Sequence, residues 1–111
     1  MKGLMIHQQM LVKWNRYMQK GAEAVHAANP DVLIILSGLN YDKDFSFLLQ
    51  KPVNLTFSGK LVYEVHWYGF SDGKAWETGN PNQVCGRLVN DMMRKSGFLL
   101  DQGYPLCVSE F

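Results

Sequence analysis

The sequence predicts an α/β fold built on a parallel sheet, and three observations carry that prediction. Helical and strand patterns alternate along the 111 residues. The run Val32-Leu33-Ile34-Ile35-Leu36 lacks polar alternation, the pattern of a parallel strand covered on both faces. The chain closes on Pro105-Leu106-Cys107-Val108-Ser109-Glu110-Phe111, an apolar strand that delivers one carboxylate at its C-terminal tip. In α/β barrels that end of the strand carries the catalytic groups.

The elements follow in order. From about Met5 to Ala28, Trp14, Met18, Ala22 and Val25 recur at helical spacing, and Asn29-Pro30 ends the segment. The run from Val32 is the first strand, leading into Ser37-Gly38. A short helix starts near Asp44, carries Phe47 and Leu48, and is interrupted by Pro52. Leu61 to Tyr68 is the second strand. Asn80-Pro81-Asn82-Gln83 reads as a helix start, with an N-cap asparagine, proline at the first helical position and glutamine at the capping-box position. Val84, Leu88, Val89, Met92 and Met93 form its buried stripe, and Gly97 is its stop. The third strand follows Gly103-Tyr104-Pro105. Such alternation argues for right-handed βαβ units. Three parallel strands with two open edges make a poor independent domain, and an eight-stranded barrel needs about 250 residues. The chain therefore reads as a slice of one domain.

Composition narrows the function classes. The chain is 47% hydrophobic and 13% aromatic, enough to build a core and too apolar for disorder. A net charge of +1 without charged blocks gives no signal for nucleic acid or an anionic membrane surface. No apolar run approaches the ~20 residues of a membrane span. Met1 to Gln9 turns polar too early for a signal peptide. Cys85 and Cys107 share no metal-site spacing and fit a disulfide framework poorly. No G-x-G-x-x-G or P-loop follows a strand, which counts against nucleotide binding, and no metal or cofactor is expected. Asn54-Leu55-Thr56 is a glycosylation sequon, meaningful only in a secreted protein.

The chemistry gathers on the second and third strands. Side chains alternate, so Glu64, His66 and Tyr68 share one face while Tyr63, Val65 and Trp67 share the other. A buried parallel strand normally carries Val or Ile on both faces, and three unpartnered polar groups there are costly. Singly, His66 reads as a hydrogen-bonded core histidine and Tyr68 as an ordinary strand-end residue. Grouped, they imply a polar mouth where a ligand binds. By the same parity Leu106, Val108 and Glu110 share a face, which brings Glu110 into that space; the competing reading is a solvated residue at a frayed terminus.

Four stretches, WNRYMQKGAEAVHAANPDVLIILSGLNYD, GKLVYEVHWYGFSDGKAWE, NPNQVCG and GYPLCVSEF, carry a family resemblance. Residues 14–111 resemble glycoside hydrolase family 5, in particular its cellulase-like members in plants; residues 1–13 read as a leader outside the resemblance. The most specific parts are H-x-Y at His66-Trp67-Tyr68 and S-E-F at the end. The resemblance implies a partial TIM (β/α)8 barrel, with these three parallel strands as the family's fifth, sixth and seventh. It also implies retaining cleavage of β-linked polysaccharide, of the β-glucan or β-mannan type, with no cofactor and an extracellular setting. Under that mapping Glu110 falls on the nucleophile, and His66 and Tyr68 fall on the pair that contacts the sugar and holds the nucleophile. A retaining glycosidase needs a second, protonated carboxyl about 5–5.5 Å from the first. The family supplies it as an Asn-Glu pair after its fourth strand, and no Asn-Glu dipeptide occurs in this chain. Glu64 lies deeper on the strand and is not assigned that role. Asp42 and Asp44 follow the first strand within reach of a substrate, but read first as solvated-loop or helix-capping residues. The expectation is little or no hydrolase activity from this polypeptide alone.

Aromatic residues add to this reading. Tyr41, Phe70 and Trp76 fall in loops after strands, where a carbohydrate cleft uses flat faces to stack on sugars. Trp76 is the strongest candidate contact, against a reading in which it folds onto the rim. Trp14 and Trp67 read as core. Two alternatives stay open: a non-catalytic carbohydrate-binding remnant keeping His66, Tyr68 and Trp76, and an unrelated small parallel α/β module.

Overall fold

The computed structural model describes the backbone of residues 2–111 and the side chains of residues 9–70 and 72–111. The leader expected at residues 1–13 falls in part outside those side chains. The elements run α1 (Lys2–Ala28), β1 (Ile34–Ser37), a single turn α2 (Leu39–Asp42), a 3-10 turn (Ser46–Leu49) and β2 (Leu61–His66). A second 3-10 turn (Gly69–Asp72), α3 (Ala75–Thr78), α4 (Pro81–Met92), a π-helical turn (Met93–Gly97), α5 (Phe98–Asp101) and β3 (Leu106–Glu110) complete the chain. The strands form one parallel sheet in the order β1-β2-β3 with flanking helices, the arrangement of a partial (β/α)8 fold. Contacts gather into two compact units, Met1–Ile34 with Phe47–Leu61 and Ile35–Ser46 with Val62–Phe111.

In the first unit, Trp14 and Ala22 are buried as their spacing predicts, and Trp14 meets Phe47 edge-on at 4.8 Å. Val25 is exposed instead, because the last turn of α1 is covered one residue further round, where His26 stacks on Phe57 at 3.8 Å. The irregular segment before β2 is tied to α1 by side chains. Gln19 accepts from the Asn54 amide at 2.8 Å, and Glu23 accepts from the Thr56 amide and hydroxyl at 2.7 Å each. Asn54 itself is exposed.

The strand expected from Val32 begins at Ile34, and its cover is one-sided. Ile34 and Leu36 are buried while Leu33 and Ile35 are exposed. An apolar run without alternation reports what a strand can bury, not which layers a chain supplies.

The second unit buries Phe45, Tyr63, Val65, Val84 and Leu99 almost completely. Phe45 meets Tyr63 edge-on at 5.0 Å, and Tyr63 meets Tyr104 likewise at 5.3 Å. Asn80 caps α4 as expected, its side chain accepting from the amides of Asn82 and Gln83, with Pro81 in the first turn. Gly97 does not stop this helix. It has ordinary right-handed geometry inside a π-helical turn that runs on into α5. The buried stripe of α4 is narrower than its apolar residues suggest, with Val84 buried and Val89 and Met93 exposed, and beyond the π-helical turn Leu99 is buried, with Ser96 buried within it. The stop is Gly103, at φ +87°, with Tyr104 donating to Leu99 and Gly103 to Leu100, the two bonds of a Schellman cap.

One loop departs from ordinary backbone geometry. After β1, Asn40, Tyr41 and Asp42 all have positive φ (54°, 58° and 60°). The loop is clamped by reciprocal 3.0 Å backbone bonds between Leu39 and Asp44, and a Cβ at Gly38 would lie 2.9 Å from the Asp44 carbonyl. Asn and Asp tolerate the left-handed region; tyrosine gains nothing there. Tyr41 is 90% exposed. Tyr41→Gly is therefore expected to stabilise the protein by about 1 kcal/mol, read as a higher melting temperature. The helix expected near Asp44 is the Ser46–Leu49 3-10 turn, and Asp44 accepts from the Ser46 amide at 2.8 Å.

Candidate active site

Two strand ends and the left-handed turn converge on one imidazole. β2 alternates as read from the sequence: Tyr63 and Val65 are buried, while Glu64 and His66 are half-buried on the opposite face. The strand ends at His66 rather than Tyr68. Tyr68 continues in extended geometry (φ −106°, ψ 144°) before the Gly69–Asp72 turn, so H-x-Y still places both side chains towards one mouth.

Glu110 arrives there by a route that simple alternation does not give. Tyr63 pairs with Leu106, Glu64 with Cys107 and Val65 with Val108, but His66 pairs with Glu110. Leu106 and Val108 thus lie on the Tyr63/Val65 side, which corrects the expectation that they share a face with Glu110. Ser109 is the additional residue of a β-bulge, and the bulge turns Glu110 to the His66 side. Bulges characteristically re-aim side chains beside active sites.

The contacts are dense. The Tyr68 hydroxyl donates to Glu110 Oε2, and His66 Nδ1 lies 3.7 Å from the same oxygen. On the other side of the ring, Nε2 is 2.8 Å from Glu64 Oε1 and 3.3 Å from Asp42 Oδ2. Ser109 donates to Glu64 at 2.5 Å, and the Gly38 amide donates to Asp42 Oδ1 at 2.5 Å. Asp42 is 8% exposed and belongs to this cluster, not to a solvated loop. Sequence reasoning passed over it because it precedes its partner by 24 positions on another element; the only local signal was the Asn-Tyr-Asp turn chemistry.

The electrostatics follow from these contacts. The hydrogen bond from Ser109, then that from His66, hold the Glu64 carboxyl below its usual value. The Glu64 hydrogen bond raises His66, helped by the charges of Asp42 and Glu110 and opposed by burial. Burial raises Asp42, against the Gly38 amide and the His66 charge. Protonation of His66 is therefore linked to folding. Its contribution is full below about pH 6.5, the unfolded value, and is lost as pH rises through the higher folded value. Glu64 has the opposite sense: its contribution is present above about pH 4.3 and is lost as pH falls through its depressed folded value. The melting temperature should decline from pH 6 to 9 more steeply in the wild type than in His66→Gln; parallel curves would refute the linkage.

Trp76 makes a different contact. It is 43% exposed on α3, and its indole N–H donates to Asp72 Oδ2 at 3.2 Å, as does that of Trp67 at the same distance. Phe70 is 80% exposed and stacks on Tyr68 at 4.9 Å. Cys85 and Cys107 are free and exposed. No helix among the described residues is long and apolar enough to cross a membrane.

A family model described as cellulase (glycosyl hydrolase family 5) matches residues 6–111. The chain belongs to glycoside hydrolase family 5. A protein of Chamaecyparis obtusa described as a glycosyl hydrolase 5 family protein is 48% identical over 104 residues, 90% of this chain and 18% of that protein. The family 5 chain thus spans 18% of the length of the curated relative it matches. Family 5 membership sets aside an unrelated small α/β module, and the parallel sheet agrees with the fold that the sequence predicted.

Proposed function

We propose that this chain carries the nucleophile half of a retaining β-glycosidase acting on β-linked polysaccharide of the β-glucan or β-mannan type. Glu110 is the nucleophile, Tyr68 and His66 aim it and contact the sugar, and Trp76 stacks on the glycan. The observation that carries this reading is the Glu110 carboxylate at the tip of β3, engaged by the Tyr68 hydroxyl with His66 on its flank. A carboxylate so held can attack an anomeric carbon to form a glycosyl ester, the first half of a retaining displacement.

Proton donation to the leaving oxygen is assigned to no residue of this chain. Glu64 and Asp42 are committed to His66, and the general acid/base contribution is typically 10²–10⁴-fold. Little or no turnover of soluble β-glucan or β-mannan is therefore expected from the 111 residues alone. An activated 2-deoxy-2-fluoro-β-glycoside with a dinitrophenolate leaving group needs no acid. It should leave a covalent adduct on the peptide containing Glu110, detected by mass spectrometry. Glycan affinity with no adduct would favour the carbohydrate-binding reading, which the exposed faces of Phe70 and Trp76 also suit. An adduct on another carboxylate would refute the assignment of Glu110.

A further inference from the structure

We propose that Asp42 is a positioning residue that acts through His66: with Glu64 it forms a two-carboxylate seat on Nε2 that directs Nδ1–H towards Glu110. The inference rests on the reading of Glu110 as nucleophile for its catalytic meaning, but the seat itself stands on geometry.

Asp42 is more than nine-tenths buried at the end of three consecutive left-handed residues. Its Oδ1 is occupied by the Gly38 amide, and Oδ2 has no hydrogen-bond donor, only the His66 ring at 3.3 Å. Nε2 lies nearer to Glu64, at 2.8 Å, so an N–H there serves Glu64 before Asp42. Both ring nitrogens therefore face carboxylates, Nε2 two of them and Nδ1 one. A neutral imidazole has one N–H and would turn a lone pair on a carboxylate at one end. An imidazolium donates at both ends, and its charge balances the buried Asp42.

The groups facing the ring come from each surrounding element: Asp42 from α2, Glu64 from β2, Glu110 from β3, and Tyr68 with its ring 6.2 Å away. The nearby ammonium of Lys43 pairs with Asp72 at 4.0 Å. The three carboxylates differ in fate. Glu110 is exposed and loses its charge on becoming a glycosyl ester, whereas Asp42 and Glu64 keep theirs. The seat therefore holds the ring cationic and oriented whether or not Glu110 is esterified, so the nucleophile meets the same donor in both states.

The test is a pH titration of the 111-residue chain labelled with ¹⁵N-histidine, followed by NMR, with folding checked by circular dichroism. In the wild type both His66 nitrogens should be protonated at pH 7. Asp42→Asn should lower the proton affinity of His66 about tenfold, with a smaller change in Glu110→Gln. A single neutral tautomer in the wild type at pH 7 would overturn the proposal, and this readout does not depend on any variant folding. So would an Asp42→Asn titration that overlays the wild type. Labelling by the activated fluoroglycoside separates the two readings. Slower labelling of Asp42→Asn supports the seat's role in catalysis. Absence of labelling with the His66 shift intact removes the catalytic meaning alone, and labelling with an unmoved His66 removes the seat alone.

Discussion

Replacing Glu110 with glutamine should abolish covalent capture of the activated fluoroglycoside while leaving the fold in place. The side chain is 55% exposed at the last position of β3, so its amide needs no buried partner and little stability is at stake. The amide oxygen still accepts from Tyr68, so the geometry of the mouth persists. What is lost is the anionic oxygen that bonds to the anomeric carbon, and no neighbouring group is placed to substitute for it. Glu64 is held by Ser109 and His66. Asp42 is held by Gly38. The expected result is no adduct at all, against a graded loss of about 10²–10³-fold for His66→Gln or Tyr68→Phe, which remove a fixed donor but not the nucleophile. Mass spectrometry of the intact chain and of its C-terminal peptide distinguishes the two patterns. Residual labelling of Glu110→Gln at the wild-type rate would place the nucleophile elsewhere.

The largest effect on stability is expected from Phe45→Ala. Phe45 has no exposed surface, its ring meets Tyr63 edge-on, and its amide donates to the Lys95 carbonyl at 2.8 Å. Its ring also lies against Gly38, within 3.1 Å of where a Cβ would sit. Truncation removes the ring that fills the space between the left-handed turn and β2. Such substitutions cost about 3–5 kcal/mol, a large share of the 5–15 kcal/mol typical of a whole protein. Urea unfolding should show the loss as a much lower midpoint, with Phe45→Leu retaining most of it. Because the wedge supports the turn bearing Asp42, the His66 NMR signals should broaden in Phe45→Ala before global unfolding. A midpoint within 1 M urea of the wild type would show that the ring is not a keystone of this unit.

Much of this was legible in the residue pattern. The Asn80-Pro81 start of α4, the alternation along β2 and the pairing of H-x-Y with a strand-end glutamate all rest on side-chain chemistry that repeats at known spacing. The misses share a different cause. The bulge at Ser109, the π-helical turn before Gly97 and the left-handed turn at Asn40–Asp42 are backbone events that change phase. None leaves a periodic trace: the bulge and the π-helical turn each put one residue out of step, and the left-handed turn interrupts the period over three. The alternation argument reached the right neighbour for Glu110 while assigning Leu106 and Val108 to the wrong side. Gly97 and Gly103 are equally plausible stops by composition, and the backbone separates them: Gly97 stays right-handed inside the π-helical turn, while Gly103 takes φ +87°. Asp42 needed tertiary structure, because its partner is on another element.

The bulge gives β3 a parity as well as a shape. Strand length in most proteins tolerates a change of one residue at an end by fraying. Here the count from the Gly103 stop to Glu110 decides which side of the sheet receives the carboxylate. Straightening the bulge, with Ser109 paired to His66, would keep the hydrophobic pairing of Leu106 and Val108 and turn the glutamate towards the helices, leaving a stably paired but chemically blind strand. Losing Ser109 would instead restore regular alternation with the glutamate still on the His66 side. A substitution at Ser109 weakens one hydrogen bond; a regular strand in place of the bulge removes the function. The register of this strand, more than the identity of any one of its side chains apart from Glu110, is what the chemistry depends on.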